Sequence, residues 1–266
     1  MALIHYNFNS RELGRKTELL VILPDVEWKE ENQGKKYQTL YLLHGGGEDY
    51  TCFVRYTNIE KWAEKYQLAV VMPDAENSSY MNMVHGDRFY SYISEELPNV
   101  MQSVFPLSRN KKDHFVSGFS MGANGTLHWA MDKPDFFQAA AVMSGGSGFE
   151  ESTRYIMPGK QDPQADIFHC PFGGIEHLVG SEGDVYKLAR RMAETKPKEQ
   201  WPALLSAVGK EDFMYPGSCK FKKYLDSLGV PMDFCTGAGG HTWDFWNEWI
   251  PKILEWFGLA GTLVEE

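Results

Sequence analysis

Three short stretches of the chain carry residue types that could combine in nucleophilic catalysis. In GFSMG, Gly118–Gly122, a serine stands between glycines. Serine at its ordinary pKa is a poor nucleophile and needs a base within reach and a third group to orient that base. GKEDF supplies two acids, Glu211 and Asp212, and GAGGHTW presents His241 after a run of glycines. Serine, then acid, then histidine is a chain order in which the three can form a nucleophile, an orienting acid and a base. A fourth stretch, HGGG at His44–Gly47, lets backbone approach a substrate closely. There the Gly46 N–H and the Met121 N–H, directly after the serine, could stabilise an oxyanion. G-x-S-x-G arises by chance as an ordinary tight turn, and a lone histidine is often a core or capping residue, so the case rests on the four parts together.

These residues have to be positioned by secondary structure, and the hydrophobic pattern provides it. Short apolar runs ending in Gly, Pro or Asp read as buried strands at 19–23, 39–43, 68–72, 114–117, 139–143, 203–208 and 232–235. Helical segments alternate with them at 59–66, 91–104, 124–131, 185–194, 219–228 and 243–256. In the last of these Trp246, Trp249, Ile250, Ile253 and Trp256 recur at helical spacing, a face that packs on a sheet. The fold class is therefore α/β, with a mostly parallel sheet covered by helices on both faces. Residues 4–9 and 19–23, joined by a polar turn, read as an antiparallel hairpin at its N-terminal edge. Ser120, Asp212 and His241 each follow a strand, the edge where ligands gather in such sheets. Neither a repeat nor an interdomain linker is visible, which implies a single domain over 1–266. Residues 148–184, rich in Gly, Pro, His and Asp, read as a loop or small lid insertion near the site. Asp184 reads as an N-terminal acidic cap of the helix after it or as a loop tie.

Composition narrows the partners. The 266 residues are 43% hydrophobic, enough for a sizeable core, and 26 basic against 36 acidic residues give a formal charge of −10. Such a surface repels nucleic-acid phosphates and anionic lipid. The four cysteines, Cys52, Cys170, Cys219 and Cys235, lack paired spacing and fit a reducing, cytoplasmic setting. No signal peptide and no apolar stretch of membrane-spanning length is visible. The cluster His169, Cys170 and His177 lacks zinc-ligand spacing, so no metal is expected. His5, His85, His114 and His128 have no setting comparable to that of His241, although His85 could line the cleft.

In YLLHGGGEDYTCFVRYTNIEKWAEKYQLAVVMPDAENSSYMN, EELPNVMQSVFP, VSGFSMGANG, GKEDFMY and GGHTWDFW, the chain resembles the putative-esterase family of α/β-hydrolases. Members include tributyrin esterases, S-formylglutathione hydrolase and acetyl xylan and feruloyl esterases, and the bacterial tributyrin (acetyl) esterases are the most similar. The resemblance covers about residues 1–258. It implies Ser120 as nucleophile, Asp212 rather than Glu211 as the orienting acid, His241 as general base, and Gly46 and Met121 as oxyanion donors, with no metal or organic cofactor. One departure is Ala123, where relatives often carry glycine.

The expected activity is a serine carboxylesterase acting on short acyl esters, with Phe53, Tyr80, Met81 and Met83 lining the acyl side. The rivals are deacetylation or deferuloylation of plant polysaccharide, hydrolysis of S-formylglutathione, or a non-catalytic binding protein on the same fold. The expected partner is a small-molecule ester, not nucleic acid or membrane, and a homo-oligomer is compatible with the sequence.

Overall fold

The computed structural model describes residues 1–26, 30–146 and 169–266. Eight strands form one sheet: β1 (Ala2–Ser10), β2 (Arg15–Leu23), β3 (Gln38–Leu43), β4 (Leu68–Pro73), β5 (His114–Phe119), β6 (Ala139–Met143), β7 (Ala203–Gly209) and β8 (Asp233–Gly237). Their order is β1-β2-β4-β3-β5-β6-β7-β8. β1 and β2 pair antiparallel, as do β2 and β4, and every later pairing is parallel. The α/β expectation, with its antiparallel N-terminal edge, holds.

The central strands alternate faces residue by residue, and both faces are buried. Tyr41, Leu43, Ala69, Val71 and Val116 enter one core. Leu40, Leu42, Val70, Met72 and Phe115 enter the other. A strand covered on both sides needs apolar residues at successive positions, which is why these runs read as continuous rather than alternating.

The helices are α1 (Cys52–Tyr56), α2 (Ile59–Tyr66), α3 (Phe89–Ser91), α4 (Leu97–Val104), α5 (Met121–Asp132), α6 (His169–Phe172), α7 (Val185–Thr195), α8 (Tyr215–Ser227) and α9 (Trp243–Trp256). A π-helical turn, Tyr92–Glu96, makes α3 and α4 continuous. Ile59 and Ala63 of α2 pack on the second core beside Phe245, Ile250, Ile253 and Leu254 of α9. Helices α5, α7 and α8 cover the first through Leu127, Leu188 and Phe221. The short helix α1 has no counterpart among the sequence expectations, because five residues are too few to show a period. Asp184 caps α7 as expected, accepting hydrogen bonds from the Tyr186 and Lys187 N–H groups. The expected insertion lies outside the described residues over 148–168. Its remainder carries α6, a 3-10 turn (Ile175–His177) and the Asp184 cap.

Candidate active site

The site stands at the carboxyl ends of β3, β5, β7 and β8. Ser120 occupies the turn from β5 into α5 with φ 55° and ψ −119°, a backbone region that costs a non-glycine residue about 1–3 kcal/mol. Its N–H bonds the Met143 carbonyl at 3.0 Å, so the strained turn is tied to β6. The flanking glycines serve close approach rather than positive φ, which neither adopts. A Cβ on Gly118 would lie 2.5 Å from the Gly122 carbonyl oxygen. One on Gly122 would lie 2.2 Å from Leu43 O and 2.5 Å from His44 O. The start of α5 is thereby set directly against the end of β3 and the HGGG loop. Ala123, the departure noted above, meets Gly145, whose missing Cβ would otherwise sit 2.2 Å from its methyl.

Asp212 and His241 come from neighbouring loops that are stitched together. A Cβ on Gly209 would be 1.8 Å from Gly239 O, and the Lys210 and Glu211 N–H groups donate to Gly237 O at 2.9 Å and Gly239 O at 3.2 Å. The Glu211 carboxylate accepts the Gly239 N–H at 2.6 Å, so the rival acid is a brace between loops. The Asp212 carboxylate instead faces His241, with Nδ1 3.1 Å from both oxygens. A carboxylate only accepts, so Nδ1 carries the proton and Nε2 is left as the base. Nε2 takes the hydrogen bond of Ser120 Oγ at 2.9 Å. The Asp212 side chain has no exposed surface and that of His241 is 19% exposed. Burial opposes the Asp212 charge, but hydrogen bonds from His241, Ser144 and the Met214 N–H outweigh it and hold the carboxyl below its usual range. The imidazole is clamped between Phe213, with ring centroids 4.4 Å apart, and Trp246, perpendicular to it at 5.0 Å.

Gly46 and Met121 lie side by side, a Cβ on Gly46 falling 3.9 Å from Met121 Cβ. His44, fully buried, orients this loop. The Ala75 N–H donates to its Nε2 at 3.0 Å, so the ring proton is on Nδ1, which donates to Gly45 O at 2.8 Å. Fixing that carbonyl fixes the Gly45–Gly46 peptide and turns the Gly46 N–H the opposite way, because the two groups are antiparallel in a trans peptide. Asn77 Oδ1 accepts the Gly47 N–H at 2.8 Å, and the Tyr80 hydroxyl donates to His44 O at 3.0 Å. Met121 is the first residue of α5, where N–H groups have no intrahelical partner and the helix dipole is positive.

The expected acyl-side residues are placed differently. Phe53 is fully buried against Phe119 and Trp243. Tyr80 is 1% exposed and packs under Gly125 of α5. Neither offers surface to a substrate; Tyr80 holds the HGGG loop through His44 O and Phe53 packs on Phe119 beside the elbow, so their expected role is corrected. Met81 lines a separate cavity of about 470 Å³ with Tyr90, His128 and Phe172. Met83 is half-buried, its methyl 2.3 Å from where a Gly86 Cβ would stand. Apolar type in a loop gave no way to tell these packing residues from substrate contacts. Among the described residues no three His, Cys, Asp or Glu side chains gather to hold a metal ion.

With this geometry the chain was compared with known proteins. Residues 10–257 match the family model described as putative esterase. An acetyl esterase of Caldicellulosiruptor saccharolyticus is 27% identical, the alignment covering 96% of this chain and 98% of that one. The substrate-bound structure of FphF, a fluorophosphonate-binding serine hydrolase of Staphylococcus aureus, superposes with a TM-score of 0.86 at 34% identity, covering 96% and 98% of the two chains. The S-formylglutathione hydrolase FrmB of the same organism, as apoenzyme, gives 0.84 at 32% identity, again over 96% and 98%. With the α/β-hydrolase fold described above, these matches make the chain a member of the putative-esterase family and a carboxylic ester hydrolase of the serine type.

Proposed function

We propose that the chain hydrolyses short-chain acyl esters of the acetyl and butyryl type through an acyl-enzyme. Ser120 Oγ attacks the carbonyl carbon while His241 Nε2 takes its proton, and Asp212 stabilises the resulting imidazolium. The Gly46 and Met121 N–H groups bond the oxyanion. His241 returns the proton to the departing alcohol, then activates a water that releases the acid and restores Ser120. The observation that carries this reading is the unbroken hydrogen-bond chain Ser120–His241–Asp212 at 2.9 and 3.1 Å. The acetyl esterase similar over nearly its whole length supports a small acyl group.

This chemistry requires neither metal nor organic cofactor. We read the chain as one domain acting on a neutral small molecule, since its charge of −10 disfavours nucleic acid and anionic lipid. Four free thiols suit a cytoplasmic setting, and no helix among the described residues is long and apolar enough to cross a membrane. A second reading, thioester hydrolysis of S-formylglutathione, is favoured by the 32% identity to FrmB.

Turnover of p-nitrophenyl acetate, butyrate and octanoate, methyl ferulate, acetylated xylo-oligosaccharide and S-formylglutathione separates these readings. The expected result is the highest kcat/KM on acetate or butyrate, abolished in Ser120→Ala with little change in melting temperature. Preference for S-formylglutathione by an order of magnitude supports the second reading, and retained activity in Ser120→Ala removes Ser120 from the mechanism.

A further inference from the structure

Three glycines follow His44, and they are held unequally. Gly45 is buried, and a Cβ there would lie 2.4 Å from the Phe119 ring, so packing fixes it. Its carbonyl accepts both the His44 Nδ1 proton at 2.8 Å and the Glu48 N–H at 3.3 Å. Gly46 and Gly47 instead stand exposed. Gly47 has a φ of 77°, and a Cβ on it would meet nothing within 4 Å. Glycine takes either sign of φ at little cost, so sterics alone leave the Gly46–Gly47 peptide free to turn over.

One bond opposes that turn. Asn77 Oδ1 accepts the Gly47 N–H at 2.8 Å, and among the described residues it is the only hydrogen-bond partner of this peptide. The same oxygen lies 3.7 Å from where a Gly46 Cβ would stand, a point 3.9 Å from Met121 Cβ. The carboxamide therefore borders the gap between Gly46 and Met121. Asn77 is exposed, yet its loop is tightly set. On one side the Ala75 N–H donates to His44 Nε2, and on the other the Tyr80 hydroxyl donates to His44 O. Glu76, Ser79 and Tyr80 adopt φ values of 47°, 53° and 55°. Strain of that kind persists only where the surroundings enforce it, and it gathers at functional sites.

We infer that Asn77 is a positioning residue for the oxyanion loop, its side-chain oxygen holding the Gly47 N–H so that the Gly46 N–H stays turned toward Ser120. The inference rests on the assignment of the Gly46 N–H as an oxyanion donor in the mechanism above. His44 sets the peptide before Gly46 and Asn77 sets the peptide after it, so both backbone dihedrals of Gly46 are fixed. Donors that are already in place need no reorganisation when charge develops on the substrate oxygen.

The test uses Asn77→Leu, of similar size without polar atoms, and Asn77→Asp, which keeps an oxygen for the Gly47 N–H but loses the amide nitrogen. Two rates are read: kcat and KM for p-nitrophenyl acetate, and modification of Ser120 by a fluorophosphonate, whose phosphonyl oxygen takes the same donors. Asn77→Leu should lose about 10- to 100-fold in kcat and in modification rate, short of the roughly 10²- to 10³-fold cost of removing a donor outright. KM should stay unchanged, the mark of an interaction that matters only in the transition state, and the melting temperature should stay near wild type because the side chain is exposed. At about 1 M NaCl, where a charge is screened within about 3 Å, Asn77→Asp should keep most of the wild-type kcat. An Asn77→Leu enzyme at wild-type kcat overturns the proposal, and so does a loss that falls on KM alone, which makes Asn77 a substrate contact. Asn77→Asp as slow as Asn77→Leu at high salt assigns the effect to the amide nitrogen and also overturns it. A wild type that labels at Ser120 but turns over no ester or thioester overturns the esterase reading alone, and slower labelling of Asn77→Leu then still supports the tie. A wild type that does neither overturns both.

Discussion

Gly122→Ala puts the close approach of the elbow and the HGGG loop to a direct test. The new methyl would lie 2.2 Å from Leu43 O and 2.5 Å from His44 O, where heavy-atom contacts are comfortable near 3.5 Å. Both obstacles are backbone atoms at the end of β3, so no side chain can swing aside. The start of α5 and the HGGG loop must part by about 1 Å. Alanine gains at most about 1 kcal/mol over glycine in a helix, whereas overpacking a close contact costs about 1–3 kcal/mol. Net destabilisation of up to about 2 kcal/mol is expected, several degrees of melting temperature at this chain length. The effect on rate is larger, because the displacement separates Ser120 from the Gly46 N–H, one of its two proposed oxyanion donors. A shift of about 1 Å at reacting groups can cost about 100-fold. The assay is kcat on p-nitrophenyl acetate beside the melting curve, with Gly237→Ala as control, since its added Cβ meets nothing within 4 Å. A Gly122→Ala enzyme matching that control in both rate and stability would refute the close-approach argument.

Other outcomes follow from the same geometry. Asp212→Asn should lower kcat by about 10⁴ by favouring the wrong imidazole tautomer, while circular dichroism stays native; a loss under tenfold would contradict the assigned role. The Asp212 carboxyl is held below its usual range, so its stabilisation is complete above its unfolded pKa, near 4, and is lost as pH falls further. Urea unfolding should show the stability difference between wild type and Asp212→Asn shrinking below pH 4. His128, pushed down to about 4 by burial and stacked on Tyr90 with centroids 3.8 Å apart, is neutral in the fold. Its unfolded pKa is near 6.5, so wild-type stability should fall by up to about 3 kcal/mol between pH 6.5 and 4. His128→Phe should flatten that slope, and equal slopes in the two proteins would count against the assignment.

Much of the fold was legible because its signals are local. The apolar runs and the helical stripe of Trp246, Ile250 and Ile253 mark elements that differ from the structure only at their ends. The residues that meet at the candidate site, Ser120, Asp212 and His241, were legible for the same reason, since each lies in a short motif after a strand. Other roles were not legible, because they depend on what a side chain meets across the fold. Glu211 and Asp212 are adjacent and chemically alike, and only the stitching of their loop to Gly239 sends one to brace the backbone and the other to His241. Phe53 and Tyr80 looked like cleft residues by type and loop position; burial made them supports.

The sequence by itself determined the element types, the order of Ser120, Asp212 and His241 along the chain, and the glycines that allow backbone to approach backbone. Local periodicity and steric demand require nothing distant. Tertiary structure decided which of those residues touch. Ser120 and His241 are 121 positions apart, and the pairing of β5, β6, β7 and β8 in one parallel sheet brings their loops to a common edge. It also decided how the charge on Asp212 is sustained: a buried carboxylate persists only where donors converge on it, and these come from the Met214 turn and the His241 loop, whose convergence exists only in the folded molecule.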